Sequence, residues 1–171
     1  MTRGLDRLNS LSRKEAEAGF LKCCGSAKWA QRMAQLRPFQ TAEQLHDSAG
    51  RVWWGLQQED WLEAFRQHSK IGEKKAAVAQ TPRTSEWARE EQSGTRNARP
   101  ELLDALAQAN RKYQERFGYI FIVCATGKSA EEMLALLEQR LHNSPAAEIR
   151  IAAEEQSKIT WLRLEKLLRG E

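Results

Sequence analysis

The chain has 171 residues and a mass of 19.6 kDa, the length of one domain or two small ones. Hydrophobic residues make up 41% and charged residues 29%, with 10 Gly, 4 Pro and 3 Cys, which excludes collagen-like, low-complexity and disulfide-scaffold proteins. The 27 basic and 23 acidic residues are intermixed and leave a net charge of +4, which suits an anionic small molecule better than a nucleic acid, whose partners concentrate basic residues on one face.

Helical periodicity dominates the chain. Ser12-Arg13-Lys14-Glu15 is a capping box that opens a helix toward Cys24, with Gly25 as its end. Ser26 caps a second helix through Trp29, Met33 and Leu36, which stops near Arg37-Pro38. Thr41-Ala42-Glu43-Gln44 is a second capping box, and Leu45, Ala49, Val52 and Leu56 follow at helical spacing. Asp60 starts a short helix that carries Leu62 and Phe65 and runs toward His68. From Ser69 to Pro82 the pattern is irregular, with Gly72 and a basic cluster of Lys70, Lys74 and Lys75, and reads as a loop.

Thr84 or Ser85 caps a helix through Trp87 and Glu91-Gln92, closed by Gly94. Pro100 then sits at the first turn of a long helix (Leu102, Leu103, Leu106, Ala109, Tyr113, Phe117) that ends at Gly118. Tyr119-Ile120-Phe121-Ile122-Val123-Cys124-Ala125 breaks the pattern: its aromatic and β-branched residues favour a strand. Nothing else reads as a partner strand, so a buried extended connector is expected, whose backbone groups need partners elsewhere. Ser129-Ala130-Glu131-Glu132 is a third capping box for a helix to about Leu141. A final helix runs from about Ala146 to Leu168, with Ile149, Ala152, Ile159, Leu162 and Leu167 spaced for burial. The expectation is an all-α fold over residues 1–171, a single-domain bundle of about eight helices with one extended connector around 119–125.

No run of about 18 apolar residues is present, and the first residues lack a signal-peptide stretch, so a cytoplasmic location and no membrane association are expected. Cys23, Cys24 and Cys124 form no CxxC, and the chain has 3 His, which argues against a zinc site and for reduced, packed thiols. Nucleotide-cradling and nucleophile-elbow motifs are missing.

The polar residues that stand out are few. His68 ends a helix; it suits a general acid–base, or a surface histidine that favours the helix dipole. Glu91 beside Gln92 can grip a ureido or imide group, or simply face water. Arg163 is bracketed by apolar residues, so its stem is expected to be buried against a carboxylate from the protein or from a ligand. The six Trp read mostly as core or interface residues.

In order along the chain stand His68-Ser69-Lys70-Ile71-Gly72-Glu73, Glu91-Gln92-Ser93-Gly94, the run from Arg116 to Ser129, and Glu155-Gln156-Ser157-Lys158-Ile159-Thr160-Trp161-Leu162-Arg163-Leu164. Leu8-Asn9, Cys23-Cys24-Gly25-Ser26, Trp29 and Arg37-Pro38-Phe39 precede them. Together these resemble the family of 2-oxo-4-hydroxy-4-carboxy-5-ureidoimidazoline (OHCU) decarboxylases of urate degradation. The resemblance covers nearly the whole chain. It implies an all-α homodimeric lyase with no cofactor and no metal, acting on an anionic ureidoimidazoline and releasing (S)-allantoin.

By the same resemblance the catalytic residues are His68, Glu91 and Arg163. The substrate-binding positions are Gln92, Ser69, Ala88 and the main chain of Phe121, Ile122 and Val123. Two positions depart from the family. Ser69 stands where a proline usually fixes the turn after the histidine, and Ala88 stands where many members carry serine, with Ser85 one turn earlier as a substitute. The competing readings are a catalytically weak homologue that binds ureido compounds, a helical partner-binding module using Lys70 to Lys75, and a basic nucleic-acid-binding domain. Steeply salt-dependent binding would mark the last.

Overall fold

The computed structural model of the chain describes residues 2–72 and 82–171. Among them are nine α-helices, one 3-10 turn and no strand. The helices are α1 (Thr2–Ser10), α2 (Arg13–Cys23), α3 (Ala27–Gln35), α4 (Ala42–Trp54), α5 (Gln58–Arg66), α6 (Pro82–Glu91), α7 (Pro100–Phe117), α8 (Ala130–Arg140) and α9 (Pro145–Arg169), with the 3-10 turn Ser93–Thr95 after α6. The all-α expectation holds. Lys74 and Lys75 lie outside the described residues, as does the side chain of Ser85. No helix is long and apolar enough to cross a membrane among the described residues. The chain divides into two compact units, Met1–Ala64 with Ser157–Glu171, and Phe65–Gln156.

The first unit contains a helix, α1, that was not among the expected elements. On its buried face α1 carries Gly4, Leu5 and Leu8. Its end is secured from a distance. The Arg37 guanidinium donates to Leu8 O at 2.7 Å and Leu11 O at 2.8 Å, serving carbonyls that a helix end leaves unpaired. The Asn9 amide pairs with both backbone groups of Phe39, at 2.8 and 2.9 Å. Leu8-Asn9 and Arg37-Pro38-Phe39, quoted separately above, are thus one clasp.

The three capping boxes fare differently. Ser12 and Glu15 form the full reciprocal pair. At Thr41 the hydroxyl accepts from Gln44 N, but the Gln44 side chain reaches back one residue too far, to Gln40 N at 2.6 Å. At Ser129 the hydroxyl accepts from Glu132 N and donates to the Glu132 carboxylate, so that carboxylate turns to the serine itself. Gly25 is not the cap of α2: the helix ends at Cys23, and Cys24 leaves it in an extended conformation that needs no glycine.

Phe20, Trp29 and Phe39 meet edge to face in the core of this unit. The buried indoles of Trp29 and Trp61 donate to Ala49 O and Trp53 O, so neither buried N–H is wasted. Trp54 and Trp161, by contrast, are exposed. All three cysteines are buried, and no disulfide joins them among the described residues. Burial pushes the Cys24 thiol up to about 12 from its ordinary 9.0, against the smaller pull of Ser26 N–H, Thr160 and Arg163. At pH 8 a thiol of that kind is thiolate only about one part in ten thousand. Alkylation at pH 8 should therefore leave Cys24 unmodified in the native protein and label it in denaturant. Because the unfolded thiol gives up its proton first, stability should fall as pH rises from 9.0 toward 12.

The second unit is built around Tyr113. Leu106, Ala109 and Tyr113 of α7 pack with Met133 and Leu137 of α8 and with Phe121, Val123 and Ala125. Those last three alternate, so they share the side of the run that meets this cluster, and Ile122 and Cys124 between them are buried as well. Gly118, at φ 83, makes the left-handed turn that ends α7 and starts this extended run. Side chains stand in for a neighbouring strand. Arg140 donates to Ile122 O at 2.7 Å, Glu155 accepts from Cys124 N at 2.7 Å, and Lys128 donates to Cys124 O at 2.8 Å.

Beneath the run lies a buried ion pair. Arg140 Nε meets Glu148 Oε1 at 2.7 Å, and both residues are buried. The Tyr113 hydroxyl donates to the same oxygen, and Asn143 Nδ2 to the other at 2.9 Å. The guanidinium also lies 4.4 Å from the Phe121 ring centroid. Burial, reinforced by the Glu148 acceptor, holds the Tyr113 phenol protonated far above its ordinary range.

The α9 stripe also differs from its expectation. Ile149, Leu162 and Leu167 are only half-buried, whereas Glu148, Gln156, Thr160 and Arg163 are buried beside Ala152 and Ile159. The inward face of this helix is therefore half polar.

Candidate functional site

The site residues of the second unit are linked in a ring by three hydrogen bonds, by chain neighbours and by one long-range electrostatic influence. α5 ends at Arg66, and His68 N donates to Phe65 O at 3.2 Å, which turns the chain at the helix terminus. His68 Nε2 lies 2.6 Å from Gln156 Oε1 on α9. The neighbouring residue, Glu155, accepts the backbone N–H of Cys124 in the extended run. Burial raises the Cys124 thiol, Lys128 lowers it, Glu155 raises it, and the charge of Glu91 adds a smaller rise. Next to Glu91, Gln92 accepts from Gly72 N at 3.2 Å, four residues on from His68. The ring closes there.

Of the residues singled out in the sequence, this unit holds His68, Ser69, Ala88, Glu91, Gln92, Phe121, Ile122 and Val123. His68, Ser69, Glu91 and Gln92 are half-buried, so the acid–amide pair is not an open solvated face. Trp87 and Ala88 are buried, and Ala88 has no hydroxyl to offer where a serine would have one. Phe121, Ile122 and Val123 are buried. Gln92 also holds the loop after His68, a structural task that its sequence context did not suggest.

Arg163 belongs to the first unit. It is buried, donates to Lys22 O at 3.3 Å and lies near enough to Cys24 to act on its thiol. Its burial matches the expectation from its apolar neighbours. This contact is to a main-chain carbonyl rather than to the carboxylate expected of a structural ion pair.

Gly94 makes the close approach that seats the Glu91-Gln92 turn. A Cβ there would stand 2.0 Å from Lys128 O. Backbone at that distance has to move, so Gly94→Ala should lower the unfolding free energy by about 1–3 kcal/mol, read from a denaturant midpoint.

Three residues of the ring, Gln156, Glu155 and Lys128, were not among the candidates. One signal for Gln156 was present: it falls four residues after Ala152 and three before Ile159, so an uncharged amide occupies an apolar stripe position. Buried polar groups need partners, which makes such a position informative.

The described residues thus form an all-α fold in which a histidine, an acid–amide pair and an extended backbone run share one compact unit. The model of the OHCU decarboxylase family matches residues 9–165, and the chain belongs to that family. It is 36% identical over 146 residues to the uric acid degradation bifunctional protein TTL of Arabidopsis thaliana, across 85% of this chain and 45% of that protein. The chain thus spans less than half the length of that relative. Over 168 residues it is 26% identical to the 2-oxo-4-hydroxy-4-carboxy-5-ureidoimidazoline decarboxylase of Haloferax volcanii, across 98% of this chain and 97% of the relative. Among solved structures it matches the crystal structure of OHCU decarboxylase in the presence of (S)-allantoin, with a TM-score of 0.75, 36% identity and coverage of 88% of this chain and 96% of that one.

Proposed function

We propose that this chain decarboxylates 2-oxo-4-hydroxy-4-carboxy-5-ureidoimidazoline to (S)-allantoin without a cofactor, with His68 as the proton-transfer group. The observation that carries this reading is the hydrogen bond of His68 to the buried amide of Gln156, within the same compact unit as Glu91, Gln92 and the extended run.

The chemistry needs no cofactor because the substrate holds its own electron sink. Its carboxylate lies β to a ring C=N bond. The carbon–carboxylate bond breaks, carbon dioxide leaves, and the bonding pair shifts into the C=N system. The ring carbon of that system then takes a proton on one face while the 4-hydroxyl releases its proton and becomes a carbonyl. Each turnover takes up one proton from solvent. The protein has to orient the carboxylate, stabilise the delocalised anion and move protons.

In this proposal His68 hydrogen-bonds the 4-hydroxyl and moves its proton. Glu91 and Gln92 hold ring and ureido nitrogens, Ser69 lines the turn beside His68, and Ala88 packs without a polar contact. Main-chain groups of Phe121, Ile122 and Val123 lie against the ligand, and Arg163 anchors an anionic or carbonyl oxygen. The proposal extends, as the resemblance implies, to a single-domain homodimer in the cytoplasm. The test is to generate the unstable substrate from urate with uricase and hydroxyisourate hydrolase and to follow its decay with and without this protein. Decay faster in proportion to added protein supports the reading; decay at the rate of the blank refutes it.

A further inference from the structure

We infer that Gln156 is the positioning residue for His68: it fixes the imidazole as the Nε2–H tautomer, so that the exchanged proton is handled at Nδ1. The inference rests on the reading of His68 as the proton-transfer group and adds to it which ring atom acts and what sets it.

The amide oxygen of Gln156 lies 2.6 Å from His68 Nε2. A carboxamide oxygen only accepts, so Nε2 is the donor. The hydrogen bond made by one ring nitrogen decides which nitrogen carries the proton. Gln156 is fully buried, and its neighbour on α9 is tied by a second bond, from Cys124 N to Glu155 Oε2 at 2.7 Å. One turn of α9 therefore sets the spacing between the histidine ring and the extended backbone run.

The residue types at the two positions divide the work. A carboxylate facing His68 would favour the imidazolium and resist its deprotonation. The neutral amide accepts from Nε2–H whether the ring is neutral or charged, so the same bond survives a complete proton cycle. Glu155, the near-isosteric acid, faces a backbone N–H instead, where its charge strengthens the hydrogen bond.

The experiment uses the full-length protein labelled with 15N, in which only 3 His contribute ring signals, assigned by their loss in His68→Asn. Long-range 1H–15N spectra of the neutral ring should show Nε2 protonated and Nδ1 bare of hydrogen. In Gln156→Met both tautomers should appear, with kcat reduced about tenfold or more and KM within about twofold, because orientation rather than binding is lost. If Gln156→Met does not fold, the near-isosteric Gln156→Glu carries the test: the ring should then stay charged to higher pH. A wild-type ring protonated at Nδ1, a Gln156→Met protein with wild-type tautomer and kcat, or an unshifted ring titration in Gln156→Glu would each overturn the inference. The spectra need no turnover. An inactive wild type with the Nε2–H ring would thus sink the proposed reaction and leave the hold of Gln156 on the ring standing.

Discussion

Replacing Glu148 with alanine should lower the unfolding free energy by about 3–5 kcal/mol, the range for removing one partner of a buried ion pair. Glu148 has no solvent exposure, and its two oxygens serve Arg140, Tyr113 and Asn143. Alanine leaves the Arg140 guanidinium buried without its counter-charge and the Tyr113 and Asn143 donors without acceptors. The same arginine carries Ile122 O, so the damage should spread to the extended run. Glu148→Gln keeps an acceptor for Tyr113 but loses the charge and turns an amide N–H toward Asn143, so it should fall between wild type and Glu148→Ala. Denaturant titration gives all three values on one scale. A loss below about 1 kcal/mol for Glu148→Ala would show that the pair is better solvated than its burial indicates.

The second large effect concerns turnover. His68→Asn should reduce kcat by a factor of about 100 or more, equivalent to about 2.7 kcal/mol of transition-state stabilisation. Asparagine is polar and compact enough for the half-buried position, but its amide ends near the place of Nδ1 and falls short of Gln156, so the loss of that hydrogen bond should lower stability modestly. It cannot take up and release a proton near neutral pH. Near-full activity in this variant would remove His68 from the chemistry. Comparing the unfolding midpoints of the two proteins separates a folding defect from a lost proton carrier.

The contrast between these two residues shows where sequence reading reaches. His68 stood out because a titratable ring ended a predicted helix inside an ordered set of motifs. Glu148 did not, because one acid in the first turn of an amphipathic helix looks like an ordinary dipole partner. What buries it is Tyr113, 35 positions away, and no local pattern reports such a pairing. Helices with an apolar face and a capping serine or threonine were legible: α2, α3, α4 and α8 lie where their caps put them. α1, whose end is held by Arg37 and by the Asn9–Phe39 pairing, was not among the expected helices, and those long-range partners are not visible in its own nine residues.

The extended run gives the same lesson from the other side. Its β propensity and its lack of a partner strand were both readable; the run is buried and non-helical, and no strand lies among the described residues. The replacement of a ladder by Arg140, Glu155 and Lys128 was not readable, since each sits on a helix or turn as an apparently ordinary charged residue. Gln156 lies between these cases. An amide on the buried stripe of α9 is visible in the sequence as an anomaly, but its partner is not. Ser69 and Ala88 depart from the family and leave every ionisable group of the ring in place, so the proposed chemistry retains its proton carrier and its acid–amide pair.

The most direct test is stereochemical. With substrate formed in place from urate, the circular dichroism of the allantoin produced should show rapid accumulation of the (S) enantiomer in the presence of this protein and its loss with His68→Asn. Racemic allantoin appearing no faster than in the blank would contradict the proposed decarboxylase.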